Sequence, residues 1–368
     1  MSLQCGIVGL PNVGKSTLFN CLSNAKAQAA NFPFCTIEPN IGVITVPDER
    51  MIKLTEIAKP QSIVPATVEI VDIAGLVKGA SKGEGLGNQF LGNIRSTNAI
   101  LHVLRCFEND NIIHVDGSVN PIRDKEIIDT ELQLKDLESV EARLSKVQKQ
   151  AKAGDKEAAK IADTCEKYKA HLLKGLNIRT IEDVTDEQKE LTEDLNLLTN
   201  KPVLYVCNVD EKSLPDGKNN AWVSQIREMA AAENSDVLVI SAAAEAEIAE
   251  LEDPEERSMF LSDLGLEESG VAKLIKAAYK MLKYITYFTV GEKEVRAWTI
   301  TNGMKAPQAA GVIHSDFEKG FIRAEVIKYD DYLTYRTEAA IKEAGKMGVE
   351  GKEYIVKDGD CMHFRFNV

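Results

Sequence analysis

A glycine-rich run near the start of the chain, Gly9–Ser16 (GLPNVGKS), has the residue types that bind phosphate groups. Its glycines allow a tight backbone path that points N–H groups inward, and a helix beginning near Lys15 adds its positive end. The Lys15 ammonium is expected to reach the outer phosphates, and the Ser16 hydroxyl to bind magnesium. The sequence therefore predicts a P-loop that binds a nucleoside triphosphate. The residues predicted to contact it are Asn12, Val13, Gly14, Lys15, Ser16 and Thr17.

A second group of residues is expected on the metal side of the phosphates. Asp72 follows the apolar run Thr67–Val71 and begins an Asp-x-x-Gly pattern, which is informative when it follows a P-loop and a strand. Its carboxylate is predicted to bind magnesium through water, and the Gly75 N–H to approach the last phosphate. Thr36, in the loop before the second strand, is the candidate for a switch threonine that binds magnesium; the alternative is an ordinary loop hydroxyl.

The elements that must position these residues are short β-branched runs separated by helical stretches. This alternation is typical of an α/β domain with a mainly parallel sheet and helices on both faces. We assign residues 1–127 and 200–280 to this P-loop domain. The predicted strands are 5–8, 41–46, 67–71, 100–105, 203–207 and 237–240.

Residues 128–199 differ in composition, being rich in Glu, Lys, Leu and Ala. Apolar residues recur there at spacings of three and four on both sides of Gly154-Asp155, which predicts two helices packed along one seam. The seam residues are Leu137, Val140, Leu144, Val147, Ala158, Ile161, Cys165, Tyr168 and Leu172. The segment is predicted to be an inserted helical hairpin, either an arm that contacts a partner or a purely structural insertion.

The last part of the chain, residues 281–368, is predicted to be a small β-rich domain. Its strand candidates are 296–300, 321–327, 353–356 and 361–366. The Asp358-Gly359 pair between the last two predicts a hairpin.

Composition excludes several classes of protein. A net charge of -13 and a pI of about 5.1 disfavour a generally basic nucleic-acid binder. No apolar run is long enough to span a bilayer, and the N-terminus shows no export signal. The seven cysteines are widely spaced, with no Cys-x-x-Cys. We therefore expect a cytoplasmic protein with no membrane partner, no disulfides and no zinc site.

Two stretches carry a family resemblance. Residues 72–87 (DIAGLVKGASKGEGLG) resemble the signature of Obg-type GTPases, and residues 31–40 (NFPFCTIEPN) resemble the switch region of the YchF subfamily of Obg-like ATPases. The similarity runs through the whole chain. It implies that residues 128–199 form a coiled-coil arm. It also implies that residues 281–368 form a TGS domain of the β-grasp fold, a resemblance carried by residues 311–317 and 321–324. It also implies association with the large ribosomal subunit, with RNA as a further candidate partner, and a role linked to translation or redox stress.

The nucleotide base is the main chemical question. GTPases of this class read guanine with Asn-Lys-x-Asp, whereas this chain has Asn208-Val209-Asp210-Glu211. The extra methylene of Glu211 should move its carboxylate off the guanine edge, and a site that leaves polar groups unpaired rejects the wrong base. The resemblance implies ATP, while reading by Asp210 would restore GTP. The residues predicted to line the base are Asn208, Val209, Glu211, Ser241, Ala242 and Ala243.

Hydrolysis is expected to be slow. Leu76 occupies the position where related enzymes place a glutamine that orients water. His114 resembles a loop histidine that is proposed to be catalytic in the family; the alternative is a structural loop histidine. Lys15 is the other candidate catalytic residue. Asn12 resembles an asparagine that helps to bind potassium in related GTPases. The alternatives to an ATPase are a GTPase and a nucleotide-gated switch that docks on ribosome or RNA.

Overall fold

The computed structural model describes residues 4–28, 41–73 and 86–367. Thr36, Gly75 and Leu76, with most of the two family stretches, lie outside the described residues. The described chain divides into two compact units. Residues 4–24, 41–42, 69–73 and 86–274 form the first unit, and residues 25–28, 43–68 and 275–367 form the second.

Helices and strands are interspersed through the first three quarters of the chain. In order, the elements are β1 Gln4–Val8, α1 Lys15–Gln28, β2 Ile41–Thr45, α2 Glu49–Ala58, β3 Ser62–Val64, β4 Thr67–Asp72, α3 Leu86–Ser96, β5 Ala99–Arg105, α4 Pro121–Lys152, α5 Lys156–Leu172, α6 Asp186–Glu190, β6 Val203–Asn208, α7 Ala221–Ala232, β7 Asp236–Ile240, α8 Ala242–Glu250, α9 Pro254–Asp263 and α10 Gly270–Met281. There follow β8 Tyr284–Val290, β9 Glu294–Thr301, α11 Ala306–Ile313, α12 Ser315–Lys319, β10 Phe321–Ile327, α13 Tyr329–Tyr335, α14 Glu338–Glu343, β11 Met347–Glu350 and β12 Cys361–Phe366. Among the described helices, none is both long and apolar enough to cross a membrane.

The first sheet has the strand order β2-β4-β1-β5-β6-β7. β1 pairs in parallel with β4 and β5, β5 with β6, and β6 with β7. β5 and β6 are buried along their whole length, as expected for central strands covered on both faces. The predicted α/β fold is confirmed, and the parallel pairing brings the carboxyl ends of β1, β5, β6 and β7 to one edge.

The helical insertion belongs to the first unit. α4 begins at Pro121, before the predicted boundary at 128, because the Asn120 side chain caps it by accepting from the Arg123 N–H at 3.1 Å. The predicted seam residues pack in one cluster, with Leu137 partly buried beside them. At the base of the insertion, the Asp136 carboxylate accepts the N–H groups of Leu198 and Thr199 at 2.8 Å each. Apolar periodicity therefore predicted the two helices.

The second unit contains a mixed sheet of order β11-β10-β12-β8-β9-β3. β3 pairs in parallel with β9 although it comes from residues 62–64, and three residues are too short a run to stand out in the sequence. The predicted strand 353–356 is wrong: only Ile355 makes an isolated bridge, to Lys305. The Asp358 side chain instead accepts from the Thr286 N–H at 2.9 Å, which directs the turn toward β8. The strand after the turn, β12, pairs with β10 and β8.

Candidate nucleotide-binding site

Most of the predicted phosphate and base residues line one cavity of about 680 Å³ in the first unit. The loops after β1, β6 and β7 supply them, because parallel strands bring their carboxyl ends together. The predicted residues that line the cavity are Asn12, Gly14, Lys15, Ser16, Thr17, Asn208, Val209, Glu211, Ser241, Ala242 and Ala243.

The glycine-rich loop has the geometry that the sequence predicts. Asn12 and Gly14 both have positive φ, 63° and 99°, a region that glycine enters freely and asparagine more readily than most residues. A β-carbon on Gly14 would overlap the Asn208 amide, so the loop lies tightly against the end of β6. α1 begins at Lys15, so the N–H groups of its first turn, which lack partners within the helix, lie beside the cavity.

The Lys15 ammonium is held inside the loop. Its side chain is largely buried, and Nζ donates to Leu10 O at 2.6 Å. Burial lowers the pKa of Lys15 to about 8, and the Asp72 carboxylate acts in the opposite direction. The loop thus concentrates a partly desolvated positive charge at the cavity, where an anionic ligand would restore the ordinary preference for the protonated amine.

Asn208 joins two loops of the site. Its Nδ2 donates to Val13 O at 2.9 Å, and its Oδ1 accepts the Ala242 N–H at 2.9 Å, while the residue is only 4% exposed. Val13, which was predicted to contact the nucleotide, is not among the lining residues, and its carbonyl accepts from Asn208, which is. Asn208 thus connects the P-loop to the start of α8, and it also lines the cavity, where its second N–H and second oxygen lone pair remain for a ligand.

The end of the cavity near β6 is formed by the residues that follow this strand. Val209 is buried and donates its N–H to Ile240 O at 2.9 Å. Asp210 and Glu211 are exposed and both line the cavity. The Asp210 carboxylate accepts the Ser213 hydroxyl at 2.5 Å, which occupies one of its oxygens.

Five further lining residues were not predicted. Four of them, Phe107, Glu108, Asn109 and Ile112, come from the loop after β5, and the fifth is Lys212. Nothing in their residue types marks them as ligands. The available signal was topological, since a loop that follows a central strand of a parallel sheet opens at the same edge as the P-loop.

His114 is not among the residues that line the cavity. Its imidazole is largely buried: Nε2 lies 2.8 Å from Asp124 Oδ2, and Nδ1 accepts the Asp116 N–H at 3.1 Å. Arg123 also donates to the Asp124 carboxylate, at 2.9 Å. Both ring nitrogens thus have partners on or near the first turn of α4.

Asp72 ends β4, where its register partner is Ile7 on β1. It is half-buried, and burial raises the pKa of its carboxyl while Lys15 opposes that rise. The strand pairing therefore brings Asp72 to the strand that leads into the P-loop. The other two predicted metal-side residues, Thr36 and Gly75, lie outside the described residues.

This arrangement defines the class of the protein. A parallel sheet whose first strand leads through a glycine-rich turn and a buried lysine into a helix is the fold of P-loop nucleoside triphosphatases. Profiles of two families match the chain: one described as 50S ribosome-binding GTPase over residues 4–140, and YchF-GTPase_C, described as Protein of unknown function (DUF933), over residues 284–367.

Individual relatives cover the whole chain. The Ribosome-binding ATPase YchF of Escherichia coli O157:H7 is 58% identical and that of Bacillus subtilis (strain 168) is 56% identical, each over 368 residues and 100% of both chains. The solved structure of the Schizosaccharomyces pombe YchF GTPase superposes with a TM-score of 0.87 at 40% identity, covering 99% of this chain and 98% of that one. The chain belongs to the YchF family.

Proposed function

We propose that the protein binds ATP with magnesium and hydrolyses it slowly. The observation that carries the proposal is Glu211 at the cavity, in place of the aspartate that reads guanine, together with Val209 in place of lysine. A displaced carboxylate leaves the guanine N–H donors unpaired, which costs affinity. Asp210 is the alternative reader of guanine, since its carboxylate accepts the Ser213 hydroxyl at 2.5 Å and keeps further acceptor sites.

The names of the relatives point to two nucleotides. The two bacterial relatives are named ribosome-binding ATPases, which supports ATP. The S. pombe relative is named a GTPase, which supports GTP as the alternative ligand. A third alternative is a nucleotide-gated binding switch in which hydrolysis only resets the protein.

Magnesium is the proposed cofactor. The side chains present fit magnesium, because hydroxyl and carboxylate oxygens are its preferred protein ligands. Ser16 lines the cavity, and the Asp72 carboxylate interacts electrostatically with Lys15. Ser16 would hold the ion directly and Asp72 through water, with Thr36 as a third candidate. When bound, the ion would neutralise charge that develops on the transferred phosphoryl group.

The chain's own residues would act mainly by positioning. Lys15 and the first N–H groups of α1 would hold the phosphates, with Gly75 as a candidate at the last one. Catalysis by His114 would require the imidazole to leave Asp124, since it does not line the cavity. The Asn12 amide nitrogen donates to Ile113 O at 3.1 Å, so its oxygen is the atom that would bind potassium.

Calorimetric titration of the nucleotide-free protein with non-hydrolysable ATP and GTP analogues, each with magnesium, tests the proposed ligand. We expect ATP to bind at least about tenfold more tightly, because one unpaired buried hydrogen-bonding group costs about 1–3 kcal/mol. Equal or tighter GTP binding would overturn the assignment and make the protein a GTPase with an altered base motif.

We propose the ribosome as the partner. The names of the two bacterial relatives support the ribosome, and RNA is the alternative partner. We expect the protein to sediment with ribosomes in one nucleotide state and to be lost from the pellet in the other. Repeating the experiment at about 50 and 200 mM salt distinguishes phosphate contacts, which weaken steeply, from protein contacts. If the amount of protein in the pellet is the same with and without ribosomes in both nucleotide states, the proposal is contradicted.

A further inference from the structure

The loop that follows β5 forms one wall of the nucleotide cavity although it has no regular secondary structure. Residues 107–118 contain neither helix nor strand, and Ile113 and Val115 are exposed by 80% and 56%. Phe107, Glu108, Asn109 and Ile112 nevertheless line the cavity. A wall built from such a segment needs side chains that hold its backbone, because no ladder of backbone hydrogen bonds does so.

Arg105, the last residue of β5, supplies those bonds. It is only 2% exposed, and its guanidinium donates to three carbonyl groups of the loop: Nε to Phe107 O at 3.2 Å, Nη1 to Ile112 O at 2.9 Å, and Nη2 to Asn109 O at 3.2 Å. Its Cζ also lies 4.7 Å from the centroid of the Phe107 ring. One buried side chain thus contacts the backbone of three of the four lining residues in this loop.

The chemistry of arginine suits this role. The guanidinium is planar, permanently charged and presents its donors in a fixed fork, so three acceptors at different points of a loop are held in one arrangement. A lysine carries its donors on one atom and cannot span the same carbonyls. Further along, Asn12 donates to Ile113 O and His114 contacts Asp124, so the outer end of the loop has separate attachments.

The strand order places this wall between the two ends of the ligand. β5 lies between β1, which leads to the P-loop, and β6, which leads to Val209 and Glu211. The loop after β5 therefore lies between the phosphate end and the base end of the cavity, where the nucleoside of a bound nucleotide would be.

We propose that Arg105 is a positioning residue for nucleoside recognition: it holds residues 107–112 as a preformed wall and sets nucleotide affinity without contacting the phosphates. The inference rests on the proposed nucleotide-binding function. A preformed wall raises affinity because the loop does not lose conformational entropy when the ligand binds.

The test compares Arg105→Lys with the unchanged protein in two titrations, one with the ATP analogue and one with inorganic tripolyphosphate, both with magnesium. We expect Arg105→Lys to lose about tenfold or more in ATP affinity and about twofold or less in tripolyphosphate affinity. Hydrogen exchange of the amides in 107–112 should accelerate in the variant. Equal losses for both ligands, or no loss for either, would overturn the proposal.

Arg179→Lys is the matched control, because Arg179 is also a buried arginine of the first unit but bonds to Glu233 and Tyr205 away from the cavity. It should lower the melting temperature without changing nucleotide affinity. If Arg105→Lys does not fold, Arg105→Gln keeps a planar donor and takes its place. If the unchanged protein prefers GTP, the proposed ATPase fails, and the Arg105 comparison is made with the GTP analogue.

Discussion

Lys15→Ala is expected to weaken ATP binding by about a hundredfold or more, since a charged hydrogen bond to phosphate contributes about 1.5–3 kcal/mol and the ammonium has more than one oxygen to meet. The structure already holds the Lys15 side chain within the loop, 2.6 Å from Leu10 O, so little ordering is needed when ligand binds. Calorimetry with the non-hydrolysable ATP analogue measures the change.

Lys218→Ala is the matched control, because Lys218 is an exposed lysine paired with Asp216 and does not line the cavity. It should leave ATP affinity unchanged. Retention of micromolar ATP affinity by Lys15→Ala would remove Lys15 from phosphate binding.

The low pKa of Lys15 adds a pH signature to the same prediction. Because burial lowers this pKa to about 8 in the free protein, the ammonium is mainly protonated below pH 8 and loses its proton above it. A phosphate ligand favours the charged form, so ATP affinity should be level below pH 8 and fall as pH rises past it. The slope should be absent in Lys15→Ala, and a similar slope in both proteins would assign it to another group.

The second large effect is expected from the base motif. Val209→Lys combined with Glu211→Asp should shift the ratio of ATP to GTP affinity toward GTP by about a hundredfold or more, because a shorter carboxylate can accept both guanine N–H donors. Glu211 is exposed and lines the cavity, so its shortening leaves the core unchanged. Paired titrations with the two analogues measure the ratio.

Val209 is buried, so the double variant must place a lysine stem at an apolar position. Glu211→Asp alone avoids that cost and should shift the ratio in the same direction. Asp210→Asn separates the alternative: if Asp210 reads the base despite its bond to Ser213, the ratio will change in this variant. An unchanged ratio in both Glu211 variants and in Asp210→Asn would mean that backbone groups select the base.

Much of the site was predictable from short stretches of sequence. The P-loop is one contiguous run, and its chemistry depends on the backbone freedom of Gly14 and on a helix that starts at Lys15. The two helices of the insertion were predictable for a similar reason, since Val140, Leu144 and Val147 repeat at helical spacing and are buried together. Such features depend on residues within a few positions of one another.

Contacts between distant residues were not predictable in this way. The sequence suggested that Asn208 contacts nucleotide, but it did not indicate that the Asn208 amide also bonds to Val13 and Ala242. It offered His114 either as a catalytic or as a structural loop histidine, but it did not indicate the pairing with Asp124. The Asp-Gly turn near residue 359 predicted a hairpin, whereas Asp358 bonds to Thr286 and β12 pairs with other strands.

By itself, then, the sequence determined the class of site through its phosphate loop, and it predicted which residues stand where related GTPases read guanine and that a helical insertion is present. Only the tertiary structure decided which polar groups satisfy one another and which remain at the cavity. The loop held by Arg105 shows the physical reason most directly. A buried donor takes whatever acceptors the packed chain brings within reach, and their identity depends on strand order and burial rather than on local residue preference.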